Sequence, residues 1–301
     1  MLVAFAIVAI LVGLLIPAVQ AVRETARKTY CSNNLFVLAR GVIHHDDLQS
    51  FVPGWRNFGT TGSTAWMGAV MPYVDMAAVL CPTAYPADIV TFPAQMSYAG
   101  NCGHGISGSK SAGVMNDTTI AANRLSMKDI DKADGRSLTL LLAEKCGTAI
   151  ANQAVWTWDS TGIPNAYQAQ ATVTSPPLSG TSVLWSPWQS DGVSRTLPVF
   201  GLMTGGLNAT ISSITDMTVI NSKPINLTDA AVCHSVPSSR HRGGAMVVFC
   251  DGRTLFLKDA ITDSVYAQLV TSSHYSANLT TDIKTGQGWR PKIPLSDADL
   301  K

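Results

Sequence analysis

Three short segments carry side chains whose types and spacing could do chemistry. The first is His44-His45-Asp46-Asp47. On a helix His44 and Asp47 would share a face, and an imidazole with a carboxylate at that spacing can hold a divalent cation. The plainer reading is a solvated helix end whose polar side chains cap free carbonyls. The second is the pair His241 and Asp251, which could form a general-base dyad. No G-x-S-x-G elbow or H-E-x-x-H helix accompanies it. Asp251-Gly252 instead stands between two β-rich runs and is the pair that a two-residue type I′ turn prefers. His241, flanked by Arg240 and Arg242, reads as a packing or hydrogen-bonding residue where that hairpin begins. The third is Gly103-His104-Gly105-Ile106-Ser107-Gly108, which fits G-x-G-x-x-G. That motif needs a strand before it and a helix after it. Here "SKSAGVMND" follows, so a surface loop is the better reading. Catalytic residues and cofactors are therefore expected to be absent.

Six cysteines are scattered through the chain: Cys31, Cys81, Cys102, Cys146, Cys233 and Cys250. None forms a C-x-x-C pair, so the usual zinc and thioredoxin spacings are missing. An even number of scattered cysteines behind an apolar N-terminus favours disulfides in an oxidising compartment. All six are candidates, and spacing alone does not choose the partners. Asn116, Asn208, Asn226 and Asn278 head N-x-[ST] sequons. So short a pattern also arises by chance, and it is a weak sign of glycosylation.

Charged residues make up only 14% of the 301, against roughly a quarter in ordinary soluble domains. The formal net charge is +1, which removes any electrostatic case for nucleic acid. Apolar residues are 46%, enough for a sizeable core.

The element that must organise this chain is its beginning. From Met1 to Val19 there is no polar side chain; Gln20 is the first and Arg23 the first charge. A signal peptide could use Val19-Gln20-Ala21 as its cleavage site, but no basic residue precedes the apolar run. A buried core helix would show a stripe, and this run is apolar on every face. A membrane-competent helix fits best, since about 20 residues at 1.5 Å each span a bilayer core of about 30 Å. Val22, Ala26, Leu35, Leu38, Ala39 and Val42 recur near helical spacing, so the helix continues as an amphipathic one and ends before Pro53-Gly54. Pro17 then lies inside it and weakens it together with Gly13.

Beyond residue 53 the sequence reads as one β-rich head, 53–301, behind a helix over 1–52. "SLTLLLAEKC" has the bounds of a buried strand, and "AMVVFCDGRTLFLKDAI" those of a hairpin. Ile261, Val265 and Leu269 mark a following helix. Residues 150–232, rich in Ser, Thr and Pro, read as a loop-rich inserted lobe.

An apolar run broken by proline and followed by "AVQAVRETARKTYCSNNL" resembles the N-terminal segment of type IV pilins and pseudopilins. More narrowly, the chain is similar to the large pilin-like family with a prepilin cleavage/methylation segment and a C-terminal H-x9-D-G pattern, here His241, Asp251 and Gly252. "HDDLQSFVPG", "LCPT", "SYAGNCG" and "LTLLLAEKC" match in order between them. The register of Pro17 against that pattern implies a short stretch, including a Glu, upstream of Met1. The resemblance implies an α+β fold in which a long N-terminal helix packs on an antiparallel sheet. It implies a structural role, not an enzymatic one: a subunit of an extracellular filament. Phe5, Ile7, Ile10, Leu14 and Leu15 would contact neighbouring copies, and the Gly13–Pro17 weak point would let the helix bend during assembly. Before assembly the chain would wait in the cytoplasmic membrane, handled by a prepilin peptidase and a pilus assembly machine. A minor pseudopilin of a secretion system and a membrane-anchored surface binding domain are the alternatives. The resemblance also suggests a disulfide between Cys31 and Cys81, and leaves room for a cation near Asp251.

Overall fold

The computed structural model describes residues 2–54, 57–59, 62–64, 66–83, 95–103, 113–116, 118, 120–144, 154–155, 199–201, 237, 239–261, 263–273 and 295. Helix α1 runs unbroken over Leu2–Gln49, through Gly13 and Pro17. Proline has no N–H for the carbonyl four residues back, so the rung to Gly13 is missing. The helix stops where Ser50 turns into the left-handed region (φ 64°). Its N–H donates back to the Asp46 carbonyl at 2.7 Å.

The head is built on a five-stranded sheet of β4 (Tyr98–Gly103), β5 (Leu140–Glu144), β7 (Val199–Gly201), β8 (Gly244–Phe249) and β9 (Thr254–Lys258). The spatial order is β7-β4-β5-β8-β9. The β4, β5, β8 and β9 neighbours are antiparallel, as expected. Strand β7 adds a parallel edge beside β4. Two small ribbons accompany the sheet: β1 (Asn57–Gly59) with β2 (Gly62–Thr64), and β3 (Gln95–Met96) with β6 (Ala154–Val155). Strands β6 and β7 both come from the segment expected as an inserted lobe. That segment therefore contributes to the head's pairing, and its remaining residues lie outside the described ones.

Sequence alternation decides which helix covers which sheet face. On β8, Met246 and Val248, with Cys250 after them, join the core under α1. Ala245, Val247 and Phe249 join a second core with Tyr266, Leu269 and Val270 of helix α2 (Asp263–Val270). That helix begins after Ile261 and carries Val265 and Leu269. On β5 a register shift between Leu140 and Leu142 puts Leu141 and Leu142 both under α1. Both faces are covered, which is why every residue of β5 and β8 is buried.

Two local expectations are corrected. The β8–β9 hairpin does not turn through a two-residue type I′ loop. Phe249 N–H donates to the Arg253 carbonyl, Gly252 N–H donates to the Phe249 carbonyl, and within the loop Gly252 takes a positive φ (89°). This is a three-residue loop, Cys250-Asp251-Gly252, closed by a left-handed glycine. Asp251 supports it by accepting the Arg253 N–H at 2.8 Å. Val22 and Ala26, expected on the packed face of α1, are exposed. The inward face instead reads Glu24, Lys28, Cys31, Leu35, Leu38, Val42 and His45, in alternating steps of four and three residues. At the level of Glu24 and Lys28 the head offers the His241 imidazole and the Phe256 ring.

Candidate functional site

Helix α1 has two halves of opposite character. From Leu2 to Val19, twelve large apolar side chains are 47–87% exposed. Phe5, Ile7, Ile10, Leu14 and Leu15, at 54–71%, are among them. Nothing lies within contact distance of a side chain added at Gly13. By length and composition this half can cross a membrane, and none of its most apolar stretch is buried against the head. Such an area cannot remain in water: fully burying each large apolar side chain is worth about 1.5–3 kcal/mol. The apolar run points to membrane insertion or to a signal sequence.

From Glu24 onward the helix is fastened to the head. Cys31 and Cys81 form a disulfide with a Cα–Cα distance of 5.4 Å, the pairing that the resemblance suggested. Beside it stands His241, its side chain wholly buried. Nδ1–H donates to Glu24 Oε1 of α1 at 2.7 Å, and Nε2 faces Glu144 Oε1 of β5 at 3.3 Å. The other oxygen of Glu144, which is fully buried, accepts the Met246 N–H at 2.8 Å. Burial alone would lower the His241 pKa. The hydrogen bonds and charges of Glu144 and then Glu24 outweigh it and raise the pKa above the ordinary value. Further along, Lys28 Nζ sits 3.8 Å over the Phe256 ring and Ser32 donates to Thr254 Oγ1 at 2.8 Å. Asn34 Nδ2 donates to the Leu80 carbonyl and to the Tyr98 hydroxyl. Below them Leu35, Leu38, Ala39 and Val42 fill the core.

The sequence pointed to His241 but missed its partners. Glu144 carried a signal: an acid at the end of an otherwise apolar strand needs a buried partner. Glu24 carried a weaker one, its heptad register with Cys31.

The remaining predicted residues fall elsewhere. His241 and Asp251 stand at opposite ends of β8, about 20 Å apart by strand rise, so they form no dyad. His44 is exposed and packs edge-on against Tyr73, with 5.0 Å between ring centres. It joins no cluster of ligating groups with Asp47 among the described residues. The neighbouring pair is not the solvated helix end expected. His45 is buried, with Nδ1 3.1 Å from the Phe51 carbonyl. Asp46 is buried and accepts the Met127 N–H through both oxygens. Burial raises the Asp46 pKa; the Met127 bond opposes it.

Cys250 is not in a disulfide: its thiol is free and buried in the core under α1, and burial pushes its pKa well up. Cys102 lies in β4, while Cys146 and Cys233 lie outside the described residues. Of the G-x-G-x-x-G segment only Gly103 is described, at the end of β4. Asn116 is half-buried, with its Nδ2 shielded from solvent. Asn208, Asn226 and Asn278 lie outside the described residues.

No curated protein and no solved structure matches the chain. One family does: its profile, described as "Protein of unknown function (DUF1559)", matches residues 20–95 and 83–264. The matched region begins where the apolar run ends and takes in Glu24, Cys31, Cys81, Glu144 and His241. With most of its length matched, the chain belongs to the DUF1559 family.

Proposed function

We propose that this chain is the structural subunit of an extracellular type IV pilus-like filament. One observation carries the reading: an apolar helix half, exposed on all faces, continues without a break into a half fastened to the head by a disulfide, an ion-paired histidine and a core. A flexible leader would serve to tether a domain. A helix fixed to its head transmits the packing of its apolar half to the position of that head, which a regular polymer needs. Burying Phe5, Ile7, Ile10, Leu14 and Leu15 against neighbouring copies would contribute about 7–15 kcal/mol per subunit before association costs of similar size. Assembly would therefore rest on several neighbours at once. Before assembly the same surface is soluble in lipid, so the precursor would wait in the cytoplasmic membrane for a prepilin peptidase and an assembly machine. The partners are then identical subunits, and no catalysis is required of the head.

Ile10→Glu tests this. In a helical bundle it buries an unpaired carboxylate at every subunit, at several kcal/mol each. We expect fibres to vanish from sheared cell-surface material in electron micrographs while the chain is still exported. Wild-type fibre yield from the variant would overturn the filament reading and favour a membrane-anchored monomer.

A further inference from the structure

The disulfide, His241 and Glu144 together form more than a fastening. Cys31 Sγ, Cys81 Sγ, Glu144 Oε1 and His241 Nε2 all lie within 4.8 Å of one another, and all four residues are buried. Cys81 Sγ is 3.4 Å from Glu144 Oε1 and 4.0 Å from His241 Nε2, and those two are 3.3 Å apart. A tetrahedral zinc site with bonds of about 2.0–2.3 Å has ligand–ligand edges of about 3.3–3.8 Å. Three of the six edges are thus already near their required lengths. The main change needed is at the two sulfurs, which must separate to about 3.8 Å once no longer bonded.

The surroundings match what ligands of this kind need. Glu24 accepts the Nδ1–H of His241 at 2.7 Å, which fixes the tautomer with Nε2 facing the cluster, the carboxylate–histidine arrangement typical of zinc sites. Met246 N–H occupies Glu144 Oε2 and leaves Oε1 facing inward. The Thr83 hydroxyl lies 2.9 Å from Cys81 Sγ, placed to donate to a thiolate. Two thiolates, an imidazole and a carboxylate suit Zn2+ over harder cations. Four protein ligands would leave no open position, so the site would be structural.

We propose that the reduced chain binds one Zn2+ through Cys31, Cys81, His241 and Glu144, so that metal and disulfide are alternative cross-links between helix α1 and the head at one place. The exchange balances with a dithiol reductant of the thioredoxin class. The dithiol gives two electrons and two protons to the Cys31–Cys81 bond and leaves as its own disulfide. Zn2+ then displaces the two thiol protons, and the Nε2 proton of any charged His241, into solvent. Reoxidation forms the Cys31–Cys81 S–S bond from the two thiolates, passes two electrons to an acceptor disulfide that takes up two protons and leaves as a dithiol, and expels the ion.

The test uses the full chain in detergent micelles, reduced anaerobically with a phosphine and titrated with Co2+, then Zn2+. The expected result is one Co2+ per chain, with sulfur-to-cobalt charge-transfer and tetrahedral d–d bands that one equivalent of Zn2+ bleaches. The oxidised chain should show no such bands. Cys31→Ser and His241→Ala should abolish or shift them, and Cys250→Ser should leave them unchanged. Glu24→Gln, which removes no ligand, should weaken Co2+ binding about 10–100-fold. Should reduction unfold the chain, Zn2+ must restore its circular dichroism. The proposal fails if the reduced chain gives no thiolate–cobalt bands, if the bands survive in Cys31→Ser, or if zinc does not refold an unfolded reduced chain. None of these readouts depends on fibres.

Discussion

Removing the Cys31–Cys81 bond isolates the covalent part of the helix-to-head attachment. The two residues are 50 apart in sequence. Releasing a loop of that length restores about 14 cal/mol/K of chain entropy to the unfolded state, or about 4 kcal/mol at 25 °C. Both sulfurs are in the core, with Cys31 wholly buried and Cys81 at 4% exposure, so Cys31→Ala with Cys81→Ala also loses packing in the same direction. In a domain of roughly 150–250 residues each kcal/mol moves Tm by about 2–4 °C, so melting should fall by roughly 8–16 °C. The assay is thermal circular dichroism of full-length wild type and double variant in detergent micelles, with a chelator present to hold any metal away. Helix α1 should remain helical at low temperature, because Leu35, Leu38, Ala39 and Val42 still pack. A fall below about 2 °C would refute the loop-closure reasoning and show that the unfolded chain is equally constrained without the bond.

Four further outcomes rest on particular contacts. His241→Ala strands Glu144, fully buried and left with the Met246 N–H, and should cost about 3–5 kcal/mol in denaturant titrations. Gly252→Ala forces a side chain into φ 89° and should cost about 1–2 kcal/mol, while Asp251→Ala, losing the bond to the Arg253 N–H, should cost about 1 kcal/mol. Burial holds the His45 pKa below its ordinary 6.5, against the pull of the Phe51 carbonyl. As pH falls through 6.5 the unfolded chain takes up a proton that the folded chain resists, so stability is lost from there down to the folded pKa. Stability measured against pH should therefore decline less steeply below 6.5 in His45→Gln than in wild type; parallel curves would count against a buried neutral His45.

The N-terminal half of α1 was legible in the sequence because its signal is local. An unbroken run of apolar side chains needs no partner to be recognised as something water will not tolerate. The same holds for β5 and β8, short apolar runs between turn residues, and for the stop of the helix ahead of Pro53. The hairpin was read correctly in place but not in turn type. Asp-Gly is compatible with two loop lengths, and strand register chose the longer one. The inward face of α1 below Cys31 was misread because apolarity pointed to Val22 and Ala26, whereas the head offers His241 and Phe256 there, and Glu24 and Lys28 answer them. The gathering of Cys31, Cys81, Glu144 and His241 depended wholly on tertiary structure. Cys81 and His241 alone are 160 residues apart in the chain. No local pattern encodes such a meeting; it follows from the antiparallel neighbours β5 and β8 and from the helix laid across them.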